Sequence, residues 1–447
     1  MKRVLALILS IVMLVSLAAC GSSATTVAPT AAPDTQTTAA PQETTTEAPA
    51  EPVTIKVANY ALLEKGYEEF WTKTKADFEA KYPHITIEWV TAPYGEILNQ
   101  VINMAGGGDK VDAMFGEMIW IPTMADSGLA APIADVLDQD FINDYYPNVL
   151  AAHEFDGEVF AAPLYVSSSI LFYNKDLFTQ AGLDPNAPPK TYDEMLTYAE
   201  KLSKLKTKDG NPVFAFGQPT ASVPVVGASL TSAVANFGGS LFDAQGNLDV
   251  NNNGFKDAMA MIKLLDDKGY NPQNSKPKDL RNLFALGQLA MYYDQAWGFN
   301  GVKSINPDAV NFTATAMPLA GGSGTGATTL QSHCFFVMDN DDARKDAAKK
   351  FVQYVITPEV LNDYMANITP AYPARKSMAQ VPEGVNTKIL SGAADSTSKA
   401  VETPLFASQN NFNLELCTLA QGITVGDKAV ETAIADFEKA AKGVLGQ

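Results

Sequence analysis

Val53-Thr54-Ile55-Lys56-Val57-Ala58, Ile85-Thr86-Ile87-Glu88-Trp89-Val90 and Asp112-Ala113-Met114-Phe115 are three apolar or β-branched runs separated by two stretches of helical spacing. The first two alternate apolar and polar residues with the period of two that a strand lying on a core requires. Between them, Phe70, Trp71, Phe78 and Tyr82 recur at mixed helical spacing and Pro83 supplies a stop. Residues 94–105 read as a second helix ahead of the third run. The order β-α-β-α-β predicts an α/β unit with largely parallel strands, because parallel neighbours need a crossover and helices supply it. Ligands at such sheets gather beyond the carboxyl ends of the strands. That places residues 59–65, Tyr94 and residues 116–120 on the candidate rim.

Downstream of this unit, residues 159–165 and 169–174 are again extended and apolar, and a second lobe is expected to begin there. Helical patterns follow at 192–206, with Thr191 placed to cap, at 231–236, and at 254–268 ahead of Gly269. Residues 289–293 read as a strand ending at Asp294. Residues 314–317 and 334–338 read as extended segments on either side of the glycine-rich loop 321–326. Helices are expected at 341–354 and 425–444. No internal repeat is present.

Upstream, Lys2 and Arg3 precede an apolar stretch over 4–19, then Leu17-Ala18-Ala19-Cys20 with Gly21 following. A positive n-region, an apolar h-region too short to span a bilayer and small residues before the cleavage point make residues 1–19 a signal peptide. The motif resembles the lipobox of bacterial lipoproteins. That resemblance implies cleavage before Cys20 and a diacylglycerol on its thiol, hence an extracytoplasmic chain anchored to the cell membrane by lipid. Residues 21–52 are Thr, Ala, Pro, Ser, Gln and Glu with no aromatic residue, a composition that stays extended and hydrated. Such a tether spans on the order of 30 Å.

The composition sets further bounds. A chain of 447 residues exceeds what one core serves, so at least two packing units are expected. With 32 Lys and Arg against 50 Asp and Glu, the net charge of −18 repels phosphate backbones, and nucleic acid is not an expected partner. Only His84, His153 and His333 are present, without metal-binding spacing, and no Walker A or dinucleotide fingerprint occurs. No metal or cofactor is expected. Cys334 and Cys417 lie in apolar stretches, which favours two buried thiols over a disulfide.

Aromatic residues interleaved with polar ones mark the expected strand ends: Tyr60, Tyr94, Trp120, Tyr165, Trp297 and Tyr372. A ring of this kind buries the apolar face of a sugar while neighbouring Asp, Glu, Gln or Asn take its hydroxyls. More specific are Phe155-Asp156-Gly157-Glu158-Val159-Phe160-Ala161-Ala162-Pro163, Leu171-Phe172-Tyr173-Asn174-Lys175-Asp176-Leu177-Phe178 and Pro188-Pro189-Lys190-Thr191. They are followed by Leu289-Ala290-Met291-Tyr292-Tyr293-Asp294 with Trp297-Gly298, and by Pro373-Ala374-Arg375-Lys376-Ser377. In this order they resemble the extracellular solute-binding proteins of ABC importers, especially the sugar-binding branch similar to maltose-binding protein.

The resemblance implies two discontinuous α/β lobes joined by crossover segments: 53–163 with 318–356, and 164–317 with 357–447. It implies a monomer that takes a sugar or oligosaccharide into the cleft by hinge closure and delivers it to ABC permease subunits, without catalysis. The cleft positions it marks are Tyr60, Glu64, Lys65, Glu117, Trp120, Tyr165, Ser167, Asp294 and Trp297, with Trp297 as the stacking residue. Tyr94 and Tyr372 join them as strand-end aromatics, and Gln331 and His333 from a loop that departs from the glycine-rich form common in the family. Gly116 also departs, standing where the branch has a cleft Trp, with Trp120 displaced four residues. Two other readings compete. One is a non-sugar solute such as a polyamine or ferric iron, suggested by Tyr145-Tyr146 and Tyr292-Tyr293. The other is an anchored glycan-processing enzyme using Glu117 and Asp294.

Overall fold

The computed structural model describes residues 51–64, 66–401 and 403–447. The signal segment, Cys20, the tether up to residue 50 and Lys65 lie outside the described residues.

Strands β1 (Val53–Asn59), β2 (Ile85–Val90) and β3 (Ala113–Glu117) form where the alternation predicts them. β1 pairs in parallel with β2 on one side and β3 on the other. The helices Glu68–Lys81 and Tyr94–Gly106 make the crossovers. Trp71 and Phe78 from the first and Ile97 and Val101 from the second are buried against the sheet. A short hairpin, β4 (Glu154–Phe155) with β5 (Glu158–Val159), turns through Asp156 and Gly157, both at positive φ.

Most of the two extended segments read at 159–165 and 169–174 belongs to a single continuous strand, β6 (Ala162–Asn174), all thirteen of whose residues are buried. Its first half pairs antiparallel with β10 (Thr328–Val337), from Ala162 opposite Phe335 to Ser168 opposite Leu330. Its second half pairs with β8 (Leu289–Gln295) and β9 (Thr313–Ala316). β7 (Phe214–Gly217) extends this second half in parallel with β8. The sheet therefore runs β2-β1-β3-β10-β6-β8-β7. β11 (Tyr372–Pro373) pairs with Tyr165 and Val166 of β6, and β12 (Ala400–Val401) with Thr328 and Thr329 of β10. Leu164 is the additional residue where the β6–β10 register shifts. A bulge at that point accommodates Pro163, which has no N–H to give to the ladder.

Two hydrophobic cores flank this path. One gathers Ile55, Val57, Trp71, Phe78, Phe115, Phe335 and Phe351. The other gathers Phe178, Met195, Phe216, Leu230, Phe255, Leu416 and Phe437. β8 serves both, sending Tyr292 to the first and Tyr293 to the second. The tyrosine pair that suggested a metal chelate is thus split between opposite faces, as strand alternation requires. Residues 358–368 were expected in the second lobe but pack on the first core, where Tyr364 lies 4.4 Å from Phe70 and 6.0 Å from Trp71 between ring centroids. Cys334 and Cys417 are both free and buried.

Local signals account for several helices. Thr191 accepts from the Glu194 N–H and starts the helix Tyr192–Leu202, and Asp341 accepts from the Arg344 N–H to start Asp342–Val355. The helix expected from 231 begins seven residues earlier, at Pro224 in the first-turn position that suits proline. Pro277–Ala285 and Gln409–Thr424 are helices without a counterpart in the sequence reading. Among the described residues no helix is long and apolar enough to cross a membrane.

His153 closes the back of β10: its Nδ1 lies 2.6 Å from the Val149 carbonyl and its Nε2 contacts the Ser332 hydroxyl. It is fully buried, and burial pushes its pKa down to about 4. The unfolded chain takes up this proton below a pH of about 6.5 and the folded chain only below about 4. Stability is therefore expected to fall as pH drops through that window and to lose nothing more from this group below it. The loss should be about 2 kcal/mol at pH 5 relative to pH 8, measured by urea unfolding, with a smaller slope in His153→Gln.

Candidate functional site

Tyr60 follows β1 in a single turn of 3-10 helix, Tyr60–Leu63, which Asn59 caps by accepting from the Ala61 N–H at 2.9 Å. Glu117 ends β3, and the next turn, Met118–Trp120, carries Trp120. The Trp120 ring folds back over Gly116: a Cβ at that glycine would lie 2.7 Å from Trp120 Cε3 and 2.9 Å from Phe336 Cε2. The glycine and the displaced tryptophan are therefore one adaptation, the ring filling the space a side chain at 116 would take. Tyr94 opens the second helix and donates to Glu117 Oε2 at 3.0 Å. Its ring meets Tyr60 at 5.2 Å and Trp120 at 5.7 Å.

His333 on β10 stands between these groups and the second lobe. Its Nε2 lies 3.2 Å from the Tyr60 hydroxyl and 3.3 Å from Glu117 Oε1, and its Nδ1 2.5 Å from the Tyr165 hydroxyl. Tyr165 is opposite His333 in the β6–β10 register, so the contact is a cross-strand pair beside the bulge. Burial, then the charge of Glu117, holds the Tyr60 phenol well above its ordinary pKa, and burial does the same for Tyr165. Both remain protonated hydrogen-bonding groups at neutral pH. The Trp297 indole stacks on the His333 imidazole, ring centroids 4.5 Å apart and planes 17° from parallel.

Trp297 is half-buried on the turn Ala296–Gly298 that follows β8. Ser167 Oγ accepts from the Ala296 N–H at 2.8 Å, tying the turn to β6. Asp294 is buried, and Arg281 donates to both its oxygens, Nε at 2.6 Å and Nη2 at 2.8 Å. Burial opposes the Arg281 charge, but the Asp294 carboxylate more than offsets it and holds the guanidinium above its ordinary pKa. Gly298 packs directly on this carboxylate, where any Cβ would collide with Oδ2. Asp294 and Ser167 thus shape and anchor the turn that presents Trp297.

The structure brings Tyr60, Tyr94, Glu117, Trp120, Tyr165, Trp297 and His333 into one cluster, with Ser167 and Asp294 behind it. Glu64 is exposed, and Lys65 is outside the described residues. Gln331 lies further along β10, in a groove shared with Met118, Ile119, Phe242 and Leu405. Tyr372 is buried on β11 with its hydroxyl donating to the Ala393 carbonyl at 3.0 Å, outside the aromatic cluster. Three participants escaped the sequence reading. Tyr364 approaches the Tyr165 hydroxyl at 3.5 Å, Asn300 donates to the Tyr67 hydroxyl at 2.7 Å, and Arg281 holds Asp294. Nothing in their spacing marks them, since each reaches its partner only through the fold. Among the described residues no three His, Cys, Asp or Glu side chains converge as metal ligands.

A family profile described as bacterial extracellular solute-binding protein matches residues 73–391, more than half of the chain. The chain belongs to that family. Membership makes it a binding protein rather than an enzyme and puts the matched domain outside the cytoplasm. A maltotriose-binding protein of Pyrococcus abyssi is 24% identical over 339 residues, 73% of this chain and 68% of the relative. The cyclic alpha-maltosyl-1,6-maltose binding protein of Arthrobacter globiformis superposes with a TM-score of 0.75 at 21% identity, covering 88% of this chain and 99% of that one. UgpB of Mycobacterium tuberculosis, solved with glycerophosphocholine, gives 0.73 at 20% identity over 89% of this chain and 99% of its own. At these identities the solved structures establish the two-lobed fold and leave the ligand to the site itself.

The support beneath the cluster is testable without a ligand. Removing the guanidinium in Arg281→Ala leaves the Asp294 carboxylate buried and unpaired, which should cost about 2 to 3 kcal/mol, discounted for the part of Arg281 that water reaches. Arg281→Lys should recover only part of this, since an ammonium does not bridge both oxygens. Urea unfolding measures both.

Proposed function

We propose that this chain is the membrane-anchored substrate-binding lipoprotein of an ABC transporter, capturing a sugar or oligosaccharide between its lobes by hinge closure and handing it to a permease. The observation that carries the ligand class is Trp297. It is a half-buried indole on a turn braced by the partly buried Arg281–Asp294 ion pair, with Tyr94, Glu117 and Tyr60 supplying hydroxyl and carboxylate groups nearby. An aromatic face beside fixed hydrogen-bonding groups suits a pyranose, whose ring has apolar C–H faces and an equatorial belt of hydroxyls. The maltotriose-binding relative and the maltosyl-maltose-binding neighbour support the same class.

A phosphorylated polyol, as bound by the sn-glycerol-3-phosphate-binding relative of Brucella abortus, fits the described groups less well. That relative is 27% identical over 240 residues, 51% of this chain and 53% of its own length. Arg281, the cation beside the turn, is committed to Asp294, while Glu117 adds negative charge. Hinge closure fits the path of β6, which crosses from one sheet half to the other without interruption. Cys20 behind its lipobox and the aromatic-free tether support a lipid anchor that holds the receptor near its permease while leaving it free to reorient.

In a thermal-shift screen of the purified protein against mono- and oligosaccharides, a cognate sugar should raise the Tm saturably without being turned over. Trp297→Ala should weaken that ligand by about 2 kcal/mol, roughly thirtyfold in Kd, with each protein's ligand response measured against its own ligand-free Tm. An unchanged Kd would remove Trp297 from the site. In cells, Cys20→Ser should abolish metabolic labelling by fatty acid and release the protein from the membrane fraction. Retention of both would overturn the anchor.

A further inference from the structure

We propose that His333 is a positioning residue that backs one face of Trp297, leaving the indole a single open face for the solute. The inference rests on the stacking role given above to Trp297, and it concerns how that ring is held.

The two rings are anchored unequally. His333 sits in the middle of β10, its backbone in register with Glu117 of β3 on one side and Tyr165 of β6 on the other. Both its ring nitrogens are engaged, by Tyr165 and by Tyr60 with Glu117. Trp297 rides on a three-residue turn that belongs to no strand, tied through its neighbours by Ser167 and by Asp294 against Gly298. The imidazole is therefore the fixed plane and the indole the ring that is set by it. At 4.5 Å and 17° the pair is a face-to-face stack, whereas Tyr165 meets the same indole at 67° and 6.4 Å, with its edge.

Spacing decides which side a solute takes. A pyranose lying between the two rings would require two contact distances, a separation of about 7 to 8 Å. The observed 4.5 Å admits none, so the ring of a bound sugar stacks on the indole face opposite His333. A second aromatic layer is then supplied by the protein itself, and the sugar is stacked once rather than sandwiched.

Acrylamide quenching of tryptophan fluorescence in the ligand-free full chain tests the positioning without reference to any solute. The chain has four tryptophans, so His333→Ala is compared in the natural background and in Trp297→Phe. Opening the second indole face should raise the quenching constant of the Trp297 component about twofold, leave the Trp297→Phe background unchanged, and be reversed in His333→Phe, which restores a stacked ring. No change, or an equal change in both backgrounds, overturns the proposal. With maltotriose as the probe, His333→Ala should weaken binding about two- to tenfold and His333→Phe should recover it. Binding as tight as or tighter than that of the natural chain would mean that the imidazole is a plug the solute displaces, which also overturns the proposal. If the natural chain does not bind maltotriose, the same comparison is made with the sugar that raises its Tm, and the quenching result decides the role of His333 in either case.

Discussion

The antiparallel pairing of β6 with β10 is the constraint on which the rest of the molecule depends. β6 enters at Ala162 within the first sheet half and leaves at Asn174 within the second, with no residue exposed along its length. A strand buried on both faces has its backbone groups satisfied only by neighbouring strands, so β10, β8, β9 and β11 must be in place on either side of it. The midpoint of the crossing is Ser167-Ser168-Ser169, next to the Thr328–Thr329 end of β10. Their hydroxyls are used locally: Ser167 accepts from Ala296, Ser168 donates to Ser396, and Thr328 donates to the Ser169 carbonyl. Small hydroxyl-bearing residues let several segments converge there while those three hydroxyls each keep a partner.

The site inherits its geometry from that crossing. Register places Tyr165 opposite His333, beside the bulge at Leu164. Through His333 the groups after β1 and β3 are joined to Trp297, which belongs to the second half of the sheet. A single imidazole is where these groups meet.

Buried charge plays a supporting role. The Arg281–Asp294 pair lies directly behind the turn that carries Trp297, and its value is geometric: a bidentate guanidinium fixes the carboxylate against which Gly298 packs. The chain's overall negative charge belongs to its surface, where it favours solubility and leaves the site chemistry to a few groups.

The sequence by itself determined the α/β class, the parallel unit 53–117 and most of the aromatic residues that cluster, because alternation, caps and strand-end aromatics are properties of neighbouring residues. Only the tertiary structure decided that Asp294 faces Arg281 and braces the turn, that Trp120 lies over Gly116, that Tyr372 stands apart from the cluster, and that the His333 imidazole stacks on the Trp297 indole. It also assigned residues 358–368 to the first core and showed helices at 277–285 and 409–424. These outcomes depend on which distant residues a side chain meets, such as Tyr60 and His333, 273 positions apart. Local periodicity carries no information about that distance, and the β6–β10 register supplies it.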